Sequence, residues 1–105
     1  MAELTEEQRN ELKVRYAELK AMRYSLPSED SAPVSDKLVT QYHQILSDLT
    51  TIAGEDLSEY HVTADFDYVV EGRYGKTALT LSMREALTEL IMFLRTKFEI
   101  TETDL

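Results

Sequence analysis

Cysteine and tryptophan are absent from this chain, which has only two prolines and three glycines. Without thiols there is no disulfide, no thiolate nucleophile and no zinc site built on sulfur, which suits a reducing compartment. Two of the glycines, Gly72 and Gly75, flank Arg73-Tyr74, so neither a phosphate-cradling loop nor a dinucleotide fingerprint can be assembled. Long apolar runs are missing too. The longest spans Leu90 to Leu94, far short of the roughly 20 residues that cross a bilayer. The opening residues Met1-Ala2-Glu3-Leu4-Thr5-Glu6-Glu7 reverse the basic, then apolar, pattern of a secretory signal. The expectation is a soluble, cytoplasmic protein.

Cations are missing from the middle. Residues 1–27 hold five acids and five bases, and residues 72–105 again hold five of each. Between them lie Glu29, Asp30, Asp36, Asp48, Glu55, Asp56, Glu59, Asp65, Asp67 and Glu71 against the single base Lys37. The net charge of −9 therefore belongs to the centre alone. Like charges this close repel over a Debye length of about 8–10 Å. Such a chain is expected to keep its centre wet and to meet a basic partner. Direct contact with nucleic acid or anionic lipid is disfavoured, since phosphates need clustered Lys and Arg.

What is present suffices for a fold. An apolar fraction of 43% with 30% charged residues is ordinary for a globular chain, and 105 residues suit one small domain. Thr5-Glu6-Glu7-Gln8 forms a capping box that starts a helix over about 5–26. Leu12, Leu19 and Leu26 recur every seven residues, with Tyr16 and Met22 between them, a seam that a helix shows to another helix. Pro27 stops it, and 28–33 read as a solvated loop. Ser35 caps a second helix over about 35–53, where Leu38, Tyr42, Ile45, Leu46, Leu49 and Ile52 form an apolar stripe and Gly54 ends the run.

From Tyr60 the period becomes two: Val62, Ala64, Phe66, Tyr68 and Val70 alternate with mostly polar residues, so a strand is expected. Gly72-Arg73-Tyr74-Gly75 reads as a turn, with a return strand over Lys76 to Leu81. Ser82-Met83-Arg84-Glu85 is a second capping box, opening a helix over about 83–98 with a stripe of Met83, Ala86, Leu87, Leu90, Ile91, Leu94 and Phe98. The fold class is α+β, predominantly helical: three helices with an extended acidic segment or β-hairpin between the second and third.

For function, the leading expectation is a non-catalytic protein-interaction module without cofactor. Glu55, Asp56, Glu59, Asp65, Asp67 and Glu71 would engage a basic protein partner, charge steering the encounter. Met92 and Phe93 fall outside the stripe of the last helix, making it apolar over more than half its girth. Leu90, Met92, Phe93 and Leu94 are therefore assigned to self-association as a homo-oligomer. One alternative has the carboxylates standing in for nucleic-acid phosphates, making the protein an inhibitor of a DNA- or RNA-binding enzyme. Another is a metal-assisted hydrolase on His61, Asp65 and Asp67, although Asp-x-Asp is common by chance and a metal needs further converging ligands. His43, beside the stripe of the second helix, reads as a structural histidine.

Overall fold

The structure is a computed structural model that describes residues 4–64 and 66–100. Its elements are α1 (Glu6–Tyr24), α2 (Asp36–Ala53), a 3-10 turn (Ser58–Tyr60), β1 (Phe66–Val70), β2 (Arg73–Thr77) and α3 (Thr80–Phe98). The fold is predominantly helical α+β, with β1 and β2 paired antiparallel as a two-stranded ribbon.

Helix α1 begins where its capping box lies. Gln8 N–H donates to Thr5 Oγ1 at 3.1 Å, and Thr5 N–H donates to Gln8 Oε1 at 2.9 Å. Two of the donors that a helix start leaves unpaired are thereby satisfied. Ser35 caps α2 by accepting the Lys37 N–H, and Gly54 at φ 67° closes it in the left-handed conformation.

Leu12, Tyr16, Leu19 and Met22 of α1 are buried, as are Val39, Tyr42, Ile45, Leu46 and Leu49 of α2. Leu38 and Ile52 of the expected α2 stripe are only partly covered, and Val39 lies deeper. Helix α1 packs against both α2 and α3. Arg9 Nη1 donates to the Phe98 carbonyl at 2.9 Å, so the start of α1 meets the end of α3 and the two run antiparallel. Each fully buried aliphatic side chain in this core contributes about 1.5–3 kcal/mol before entropy is subtracted.

Helix α3 starts at Thr80, ahead of the expected Ser82 box, and no side chain caps it. Backbone carbonyls do the work instead. Thr80 N–H donates to the Ala32 carbonyl at 2.8 Å and Leu81 N–H to the Asp30 carbonyl at 3.1 Å. Ala32 also accepts from Thr80 Oγ1, and the buried Thr77 Oγ1 donates to the Val34 carbonyl, both at 2.7 Å. Pro33 and Leu79 form an antiparallel bridge beside these bonds. The segment expected to be a solvated loop is thus fastened to the start of α3.

The ribbon is shorter and shifted. Asp56 Oδ1 accepts the Ser58 N–H and Tyr60 N–H reaches the Leu57 carbonyl, which winds 58–60 into a 3-10 turn instead of a strand. The reversal falls on Glu71 and Gly72, at φ 51° and 75°. Two consecutive left-handed residues match the twist of a two-residue hairpin, so Tyr74 and Gly75 belong to β2. Val69 and Tyr74 face each other across the ribbon with 68% and 66% of their surfaces exposed. A Cα radius of gyration of 14.8 Å exceeds the roughly 13 Å of a compact chain this long.

These bonds set measurable stabilities in urea unfolding. Thr77→Val leaves the Val34 carbonyl without its buried hydroxyl and should cost about 1–3 kcal/mol. Ser82→Ala, at a position that caps nothing, should stay within about 0.5 kcal/mol of the parent. Glu71→Asn should gain up to about 1 kcal/mol, because asparagine tolerates the left-handed conformation better.

Candidate functional site

The carboxylates of the centre do not form one row. Asp30 pairs with Arg84, Glu55 with Lys97, and Asp48 with Arg15 at 3.2 Å. Asp67 lies opposite Lys76 in the ribbon and holds its ammonium at 2.9 Å, while the Tyr74 hydroxyl donates to the same oxygen at 2.6 Å. That hydroxyl and the lysine keep the Asp67 carboxyl below its ordinary range, and Asp67 in turn raises Tyr74. Asp56 is lowered by the Ser58 backbone N–H that it accepts. Of the six carboxylates assigned to a partner, Glu59 and Glu71 are exposed and make no ion pair among the described residues. Glu71 sits at the hairpin tip; Asp65 lies outside the described residues.

The self-association set divides. Leu90 and Leu94 are fully buried, since α3 turns that face to α1. They are core residues and unavailable to a second copy in this fold. Met92 is half exposed, and Phe93 is partly buried against Tyr60 and Phe98, with ring centroids 5.7 and 5.8 Å away.

Folding creates two acidic clefts that the charge segments did not announce. In one, Glu85 and Glu89 of α3 lie with Glu59, His61 and Ser82. The three glutamates make no ion pair among the described residues. Lysines and arginines of the same C-terminal arm have gone instead to Asp30, Glu55 and Asp67. The neutral arm is therefore neutral only as a sum.

The larger cleft, about 1030 Å³, is an open groove between the start of α1 and the end of α2. Val14, 53% exposed, and Ile52 supply an apolar floor. Glu6, Glu7, Glu11 and Asp48 surround it. Arg15 reaches from α1 to both Glu18, at 2.7 Å, and Asp48, so the one cation among the described lining residues is already engaged. Glu6, Glu7 and Glu11 carry no ion pair among the described residues. Glu6 and Glu7 also stand at the positive end of the α1 dipole, which stabilises their charge. Such a groove favours a cation next to an aliphatic group.

His43 and His61, 18 residues apart in sequence, stack with centroids 3.7 Å apart and planes 8° from parallel. Val62 N–H donates to His43 Nε2 at 3.2 Å. Burial, then the neighbouring His61, lowers His43 below its ordinary value. Next to it the Tyr42 hydroxyl donates to the Tyr60 carbonyl at 2.6 Å, and burial raises that phenol. With His61 stacked and Asp67 committed to Tyr74 and Lys76, no three His, Asp or Glu side chains among the described residues converge to hold a metal. No described helix is long and apolar enough to cross a membrane.

Sequence reasoning passed over Glu85, Glu89, Val14 and the meeting of the two histidines. Val14 carried a signal: it is apolar yet off the Leu12–Leu19 seam. Glu7–Glu11 carried another, as a repulsive pair one turn apart. The histidine contact had none, because it depends on the 3-10 turn that brings His61 back over α2.

Compared with known proteins, the chain matches no family model, no curated protein and no solved structure.

Proposed function

We propose that this chain is a non-catalytic, acidic interaction module that takes a basic, partly apolar segment of a partner protein in the groove between α1 and α2. The observation that carries this reading is the pairing of an exposed Val14 with three glutamates that form no ion pair among the described residues. An aliphatic side chain of the partner would cover Val14 and Ile52, and its Lys or Arg would meet Glu6, Glu7 and Glu11. Charge of this kind raises the rate of encounter more than it deepens affinity. The surface moves from the acidic centre of the sequence to the first helix, because much of the centre is neutralised internally. The same internal pairing weakens the phosphate-mimic reading, which needs a row of free carboxylates. The lack of thiols fits a reducing compartment, and the cytoplasm is the proposed location.

A peptide of alternating Lys and Leu is a sufficient probe. In amide chemical-shift mapping it should perturb Glu7, Glu11, Val14 and Ile52, with affinity falling steeply between low and physiological salt. Glu7→Lys/Glu11→Lys should reduce binding by roughly tenfold or more, about 1.4 kcal/mol. Perturbations centred on Glu59, Glu85 and Glu89, or binding indifferent to salt, would refute the groove.

A further inference from the structure

We propose that the stacked His43–His61 pair is a proton-operated latch, which fastens residues 61–64 to α2 while both rings are neutral and lets them go when the pair is protonated. This is independent of the groove, which lies at the other end of α2.

The hydrogen bond sets the protonation state. A backbone N–H can only donate, so His43 Nε2 must offer its lone pair to Val62 and carry its proton on Nδ1. A proton arriving at Nε2 turns an acceptor into a donor that faces another donor. The ring stack adds to this. A centroid separation of 3.7 Å at 8° suits two neutral imidazoles, and two imidazolium ions at that distance repel.

The surroundings bias the two rings differently. On the His43 side the cleft is bordered by Asp36 and Thr40 of α2 and by Lys76 of β2, with the Tyr42 ring tilted at 5.7 Å. On the far side of His61 stand Glu59, Tyr60, Glu85 and Glu89. Glu59, Glu85 and Glu89 border exposed His61, and Asp36 on the other side favours protonation of His43. Lys76 opposes it, but Asp67 holds that ammonium at 2.9 Å. A charge on either ring would face the other at stacking distance.

The direction of the pH effect follows. His43 is lowered in the closed form, by burial first and by His61 second, against a smaller raising effect of the Val62 backbone. The open form, with an ordinary histidine value of about 6.5, therefore binds more protons in the window between the two values. Closure is fully favoured above about pH 6.5 and is lost as pH falls toward the lowered value. What opens is local. Val62 leaves its buried position and the entry to β1 loosens, while β2 stays pinned through Thr77 and the Pro33–Leu79 bridge.

Native-state amide exchange on the full chain tests this, at about pH 7.5 and about pH 5.5, on either side of the ordinary histidine value. Rates are corrected for intrinsic pH dependence. The Val62 amide should lose protection on acidification by up to roughly tenfold, the limit one pH unit below the ordinary histidine value, while Leu12 and Leu49 in the helices keep theirs. His43→Gln, whose carbonyl accepts the same N–H without titrating, should hold Val62 protection level across the range. His61→Ala, which removes one of the causes that lower His43, should make the loss smaller. Unchanged Val62 protection in the parent chain would overturn the latch. So would an equal loss at Leu12 and Leu49, which is global unfolding, or the same acid loss in His43→Gln.

Discussion

Val34 and Ala78, Thr80 and Ala32, and Leu81 and Asp30 are joined by backbone hydrogen bonds of 2.8 to 3.1 Å, and the rest of the molecule is arranged around that join. It ties the connection between α1 and α2 to the junction between β2 and α3. Helix starts leave N–H groups that must find acceptors, and here main-chain carbonyls from 48–51 residues earlier serve. Arg84 reinforces the contact by donating to the Pro27 carbonyl at 2.8 Å and pairing with Asp30. With its first turn held there and its end met by Arg9, α3 can only lie along α1. That in turn buries Leu90 and Leu94.

The same join explains the electrostatics. Basic residues of the C-terminal arm are drawn to acids of the centre, Arg84 to Asp30, Lys97 to Glu55 and Lys76 to Asp67. Partly exposed pairs of this kind are worth little individually. Their larger effect is on where charge is left over. Glu85 and Glu89, like Glu6, Glu7 and Glu11, form no ion pair among the described residues. Surface potential follows the leftovers after pairing.

The helices were legible because their signals are local. The Thr5–Gln8 box, the Ser35 cap, the Gly54 stop and the period of the apolar residues all act within one element, and the structure keeps them. The start of α3 was misplaced for the opposite reason: carbonyls of Asp30 and Ala32, invisible to any local motif, cap it three residues early. The strand from Tyr60 was overextended because period two persists through 61–64, which lie outside both the 3-10 turn and β1, the Val62 N–H going to His43 and not to a neighbouring strand. Among the residues assigned to a partner, Glu59 and Glu71 are exposed. Asp67 and Glu55 went to cations more than eight residues distant, and His61 to a helix formed earlier in the chain.

The ribbon adds one more consequence. A two-stranded sheet has two unpaired borders, and its main-chain groups are a template on which a neighbour's strand could grow into a fibril. Here one face carries Asp67 and Lys76 beside Val69 and Tyr74, and Glu71 and Arg73 stand at the tip. Adding a strand would force burial or close approach of these charges. The ribbon can therefore display an apolar pair to solvent while remaining a poor seed for aggregation.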